Sequence, residues 1–350
     1  MDKLMIAMKE SKEKIQWIDM VRGGAILLVV IGHSGCPSLI YNFIYSFHMP
    51  LFFVISGYLY NYEKWNKKLG FTTFVLNRFV SYIKPYFILC GVNFILCLFQ
   101  EIIKNGISTN TVSMIGKWIF GVLYVYPSVE YMPNCTPLWF LVALFFSSII
   151  FYYILEIKNR KIQSLIVTTI AAVDGMFFYL VKFQMPWCFG AILIGICCMY
   201  FGFCIRNRSF QLDNFRNKSL IIILLIIIGI ISGYINGRVG VGANNLGYNP
   251  FLFWASALTM SLVIILLSSE VNYKLRLLNW FGRNTILFMG FNYFFNSFPE
   301  FIWQHTILLE KYPYPWYIKS LVCIVCISFI ILLWNNIKKK WPVLYKAVGF

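Results

Sequence analysis

"WIDMVRGGAILLVVIGHSG", residues 17–35, is the stretch on which the reading of this chain turns. From Gly23 to Gly32 it holds no polar side chain. At 1.5 Å per residue, a helix of about 20 mostly apolar residues crosses a ~30 Å hydrocarbon core, so the stretch reads as a membrane span. Yet Arg22 sits near one end and His33 near the other. An inert anchor needs neither. Eleven residues at about 100° each come close to three full turns, so both side chains leave one face, about 16 Å apart along the axis. Asp19 stands one turn before Arg22 on a neighbouring part of that face. Gly23, Gly24 and Gly32 leave room for another backbone to come close.

The rest of the chain repeats this apolar character. Apolar residues make up 59% of the 350, and charged residues only 12%, about half the usual soluble share. Apolar runs fall near 17–35, 42–60, 79–99, 138–156, 162–181, 187–205, 219–236, 252–269, 283–303 and 318–337. The expectation is an all-α polytopic integral membrane protein of about ten transmembrane helices, lying in a lipid bilayer. Residues 112–126 are apolar but short and interrupted by Lys117, and read as interfacial or re-entrant. With both termini cytoplasmic, all Lys and Arg fall in cytoplasmic segments except Lys104, Lys117, Lys182, Arg238, Lys311 and Lys319. That loop-by-loop alternation is the positive-inside pattern. It also explains the net charge of +17, and no basic stripe with interleaved aromatics suggests nucleic acid. Residues 1–16 form a cytoplasmic segment, either an amphipathic surface helix or a solvated tail. Residues 17–337 form the membrane domain, and 338–350 a basic cytoplasmic tail. The first span lacks a small-residue cleavage site and reads as retained.

Of ten cysteines, most lie inside spans and behave as small hydrophobes. Cys323 and Cys326 form a C-x-x-C without nearby His or acid, and nothing points to a metal. Cys36 and Cys135 both fall on the outer side, where pairing is an option.

Ionisable groups inside spans are costly and usually face a cavity or a partner. Arg22 has two readings: a snorkelling topology anchor, or a cation placed for a ligand. His33 is either a helix-packing histidine or a base. The second span, "YSFHMPLFFVISGYLYN", adds His48 and, two residues on, Pro50, which frees a carbonyl one turn back. His33 and His48 fall at the same side of consecutive antiparallel spans. Asp174, in the fifth span, is the most anomalous acid, and His305 reads as an exposed loop residue.

Taken in order, the Arg22-x10-His33 span, "FHMPLFFVISGYL", "NRFVSYIKPY", "PLWFLVALFF" and "FGRNTILFMGFN" resemble the membrane acyltransferase-3 superfamily. The resemblance runs from Trp17 through the last span. It implies a ten-span O-acyltransferase of the bacterial cytoplasmic membrane, acting on surface sugars. Acyl-CoA, by default acetyl-CoA, would be the donor substrate, with no permanently bound cofactor. A carbohydrate or glycolipid hydroxyl would be the acceptor. Two departures stand out. Arg78 is followed three residues later by Ser81, where the family often has a second basic residue, although Lys84 lies close. Asn292 stands where the family often has a histidine. No SGNH-type esterase domain is fused, so a second catalytic domain, if required, is expected on a separate protein.

The roles implied follow residue by residue. Arg22, Arg78 and Lys84, with Arg283 nearby in type, would hold CoA phosphates, to which guanidinium forks are suited. Asp19 would orient Arg22. His33 would be the general base on the acceptor hydroxyl, with His48 a second catalytic or orienting group. Ser34, Ser56 and Asn292 are oxyanion candidates. On the acceptor side stand Asn292, Trp139, Asn244 and Asn245, with Arg238 and Tyr248 in the same outer loop as the last two. The alternative class is a transporter of an amino acid or small polar solute.

Overall fold

The computed structural model describes residues 2–106, 109–180, 183–207, 217–270, 275–304 and 314–340. His305 and residues 341–350 of the expected basic tail lie outside them. Among the described residues the chain is helical, and the only β-type pairing is a single bridge between Gly240 and Asn245. Thirteen α-helices follow in order: α1 Asp2–His33, α2 Ser38–Tyr58, α3 Gly70–Arg78, α4 Lys84–Asn105, α5 Thr109–Tyr124, α6 Trp139–Glu156 and α7 Arg160–Leu180. Then come α8 Phe189–Arg206, α9 Lys218–Ile235, α10 Pro250–Glu270, α11 Arg276–Arg283, α12 Thr285–Gln304 and α13 Trp316–Lys340.

Seven of the described helical stretches are long and apolar enough to cross a membrane. Their surfaces argue the same way. Only 17% of the α9 window and 22% of the α13 window is buried, although both are among the most apolar in the chain. Ile223, Ile227, Ile230 and Ile231 of α9 lie exposed. Water would not tolerate such faces, and lipid does. The protein is an all-α multi-pass membrane protein.

Three boundaries differ from the sequence reading. α1 does not begin at the apolar run but extends back to Asp2, so the backbone of the N-terminal segment is helical. The third apolar run belongs to a longer helical stretch that runs from α3 through a π-helical turn at Phe79–Ile83 to Asn105, and a first π-helical turn, Glu63–Leu69, is set off from it by the positive φ of Gly70. π-turns shift the register by one residue and leave no periodic mark in the sequence. The ninth run is broken at Asn284, which divides α11 from α12. The short 112–126 run is the apolar helix α5, and its Lys117 pairs with Glu130 at 2.7 Å.

The chain divides into two compact units. The first comprises the chain up to Leu59, Cys198–Val239 and Leu246–Thr285. It contains α1, α2, α9, α10, α11 and the second half of α8. Glycines set its packing. A Cβ built on Gly23 would lie 2.0 Å from the Leu278 carbonyl oxygen, and one on Gly282 would lie 1.8 Å from that of Asp19. α1 and α11 therefore meet backbone to backbone, as small residues allow in membrane interfaces. Gly57 and Gly202 do the same for α2 and α8, where a Cβ would meet the Met199 and Val54 carbonyl oxygens at 1.9 Å. α2, α9 and α10 converge where Ser256 Oγ donates to Ser46 Oγ at 2.8 Å beside Gly233.

The second unit comprises Tyr60–Cys197, Gly240–Asn245 and the chain from Ile286 onward. Ser147 Oγ donates to the Ile192 carbonyl at 3.0 Å, joining α6 to α8. Asn93 Nδ2 donates to the carbonyls of Leu89 and Gly290 at 2.9 Å, joining α4 to α12. The pairing offered for Cys36 and Cys135 is not made. Both thiols are free, and Cys135 instead contacts the thiol of Cys90.

Candidate active site

Arg22 and His33 sit on one uninterrupted helix, so the eleven-residue spacing holds them about 16 Å apart along α1. The two ends are built differently.

At the Arg22 end, Asp19 is buried and faces two arginines. Arg283 Nε donates to its Oδ2 at 3.0 Å, and Arg22 Nη1 lies 3.9 Å from its Oδ1. The nearer partner is thus Arg283, 264 positions away, rather than the neighbour in sequence. Gly282, pressed on the Asp19 backbone, delivers Arg283 to this place. The side chains of Arg22 and Arg283 stay 33% and 62% exposed while the carboxylate is almost covered. Two cations share one anion, so these three groups carry a net positive charge on partly exposed guanidiniums, a suitable seat for an anion.

At the His33 end, Tyr45 of α2 is the central piece. Its hydroxyl lies 3.1 Å from His33 Nδ1 and 3.4 Å from Nε2, and the two rings meet edge to face. Gly32 makes the space: a Cβ there would lie 2.6 Å from Tyr45 Cε2. The Tyr45 ring also meets His48, with centroids 4.7 Å apart. Tyr41 stacks on Tyr45 at 3.8 Å, nearly parallel. His48 is buried, and its Nδ1 lies 2.8 Å from the Ile44 carbonyl oxygen. A carbonyl only accepts, so Nδ1 carries the proton and Nε2 is left as the accepting nitrogen of the neutral ring. The two histidines expected at one depth are therefore joined through one tyrosine.

The remaining candidates fall out as follows. Ser34 Oγ donates to the Ile31 carbonyl at 2.6 Å and Ser56 Oγ to that of Phe52 at 2.9 Å. Both hydroxyl protons are spent on their own helices, which counts against either as oxyanion donor. Arg78, Lys84, Trp139, Asn244, Asn245 and Asn292 belong to the second unit. The Arg78 guanidinium packs over Phe74 at 4.9 Å, Trp65 at 5.6 Å and Tyr82 at 5.7 Å, and donates to the Tyr82 hydroxyl. Lys84 opens α4, half-buried, ahead of Pro85. Trp139 is buried against Gly242. Asn244 takes a left-handed conformation (φ 51°) and turns its side chain onto Gly190, while Asn245 is exposed and bridges to Gly240. Asn292 is buried, accepts from Asn296 Nδ2 at 2.6 Å and receives the Cys323 thiol. Both carboxylate oxygens of Asp174 are buried without a hydrogen-bond partner.

A family model for acyltransferase-3, described as an acyltransferase domain, matches residues 15–295. The chain belongs to the acyltransferase-3 family. No curated protein and no solved structure matches it significantly. As a member of acyltransferase-3, it is a membrane acyltransferase, and the transporter alternative gains no support. The family match opens just before Trp17 and contains both ends of the Arg22–His33 helix, together with Tyr45, His48 and Arg283. Tyr45 and Tyr41 were not singled out in the sequence, though positions 41, 45 and 48 follow the i, i+4, i+7 spacing of one helix face.

Proposed function

We propose that this acyltransferase moves an acetyl group from cytoplasmic acetyl-CoA to a hydroxyl of a surface or lipid-linked carbohydrate, in a bacterial cytoplasmic membrane. The observation that carries the reading is the pairing on one helix of a two-arginine anion seat with a tyrosine-braced histidine pair about 16 Å away. That separation is about half of a ~30 Å hydrocarbon core, a distance suited to an extended pantetheine arm.

On this reading Arg22 and Arg283 hold CoA phosphate oxygens, and Asp19 fixes the Arg283 fork. The thioester lies near His33. An acceptor hydroxyl gives its proton to His33 as its oxygen attacks the thioester carbonyl. The C–S bond then breaks, the acyl–oxygen ester forms, and the CoA sulfur leaves as thiolate and takes up a proton. Tyr45 holds the His33 ring, and His48 Nε2 is the second proton acceptor at this end. Positioned proton transfer of this type contributes typically 10²–10⁴-fold.

The test is to incubate purified protein in nanodiscs with acetyl-labelled CoA and a bacterial surface polysaccharide. Ester-linked label on the polysaccharide, released by mild alkali, is the expected result. Label that appears on an amine, or only as free acetate, rejects the O-acyl assignment.

A further inference from the structure

Beside the His33 end, the first unit carries a feature the acyl-transfer scheme leaves unused. The Arg238 guanidinium stacks on Tyr41, with Cζ 4.9 Å from the ring centroid, and Tyr41 stacks in turn on Tyr45. A continuous run of planar groups thus leads from His33 to an exposed arginine.

The backbone under Arg238 is fixed. Asn236 is fully buried and clamps the loop: its Nδ2 donates to the Leu246 carbonyl at 2.7 Å, and its Oδ1 accepts from Asn249 N at 2.8 Å. Its carbonyl accepts from Tyr248 N at 2.9 Å. Gly237 turns the chain with φ +70°, and the Tyr248 ring lies against it, so close that a Cβ would be 2.6 Å away. Tyr248, next to Arg238 through Gly237, is nevertheless 80% exposed. One clamped loop thus carries an exposed aromatic ring packed on Gly237 and, at the next residue, an exposed guanidinium stacked on Tyr41.

We infer that Arg238 and Tyr248 form an acceptor subsite that selects a carbohydrate bearing an acidic group, carboxylate or phosphate. This rests on the acyl-transfer reading above. The Arg238 guanidinium is exposed and keeps its charge while stacked on Tyr41, and its planar fork has the geometry to meet the two oxygens of such an acid. Tyr248 presents a face to an apolar sugar face. Because Tyr41 and Tyr45 connect the subsite to His33, an acid bound there sets a neighbouring hydroxyl toward the histidine.

The experiment measures binding to full-length protein in nanodiscs of neutral lipid. The probes are a hexuronate oligosaccharide, the same oligosaccharide with its carboxyls reduced, and a phosphorylated one of the same length. Wild type should bind an acidic probe about tenfold more tightly than the neutral one. Arg238→Gln should erase that preference, Arg238→Lys should keep part of it, and Tyr248→Ala should weaken acidic and neutral probes alike. A wild-type preference that survives in Arg238→Gln overturns the subsite. In a parallel set of anionic-lipid discs, an Arg238→Gln protein that differs from wild type only there also overturns it, because Arg238 would then serve a lipid headgroup. His33→Ala separates the two claims. It should retain the acidic preference in binding while losing transfer, whereas transfer that persists in His33→Ala counts against the base and not against the subsite.

Discussion

The two ends of α1 handle polarity in opposite ways. At one, full charges meet. The buried Asp19 carboxylate is held between Arg22 and Arg283, with α11 pressed backbone to backbone by Gly23 and Gly282. At the other, no formal charge is needed. His33, Tyr45, His48 and Tyr41 meet through ring edges, a hydroxyl and one carbonyl acceptor. The first arrangement keeps net charge and suits the gripping of an anion. The second offers neutral groups that can each take or give one proton and suits chemistry. One helix holds the two arrangements about 16 Å apart.

The hardest test of that division compares two variants. His33→Ala should lower kcat by about 10³-fold, within the range of a lost general base, while the Kd for acetyl-CoA stays near wild type. Arg22→Ala should do the reverse and weaken acetyl-CoA by about 10–100-fold, the equivalent of ~1.5–3 kcal/mol for a charge-assisted hydrogen bond. Stopped-turnover binding beside steady-state kinetics reads both. If His33→Ala weakens CoA and Arg22→Ala does not, the ends have been assigned the wrong way round.

The two ends were also unequally visible in the sequence. Arg22 and His33 were legible because a helix imposes its period on any pair it carries. Tyr45 and Tyr41 could have been found by extending the same count to α2, back from His48. The Asp19–Arg283 bond could not. It joins residues 264 positions apart and depends on how closely α11 approaches, which is set by two glycines whose role appears only in three dimensions. Gly23 and Gly24 looked equivalent as letters. Seven of the ten apolar runs coincide with described helices long and apolar enough to cross a membrane, but the π-turns before α4 and the break at Asn284 are backbone choices that no hydrophobic pattern records. Ser34 and Ser56 show the converse case. A hydroxyl near a site attracts a catalytic reading until its proton is seen bonded to its own helix.

The glycine pair sharpens the charged end. Gly23→Ala must push a methyl into the Leu278 carbonyl and should destabilise the protein by about 1–3 kcal/mol, as over-packing does. Gly24 has nothing within 4 Å of a new Cβ, so Gly24→Ala should be neutral or gain up to ~1 kcal/mol from helix propensity. Thermal unfolding in matched detergent gives both numbers. The Gly23 variant should also weaken acetyl-CoA, because displacing α11 moves Arg283. Equal unfolding temperatures for the two variants would mean that α11 does not lock onto α1 in the working protein.

The smallest effect tests the neutral end. Tyr45→Phe keeps the ring that stacks on Tyr41 and meets His48, and removes only the hydroxyl beside His33. If that hydroxyl orients the imidazole, kcat should fall about tenfold, a cost near the ~1 kcal/mol of one ordinary hydrogen bond, with both KM values unchanged. Tyr45→Leu removes ring and hydroxyl together and should cost more, including acceptor affinity, since the Tyr41 stack loses its base. A purely packing role predicts otherwise: Tyr45→Phe would then leave kcat intact and only Tyr45→Leu would matter. A third result, a Tyr45→Phe protein with altered affinity for acetyl-CoA, would show the histidine end reaching along α1 to the arginines and would remove the separation of tasks on which the comparison depends.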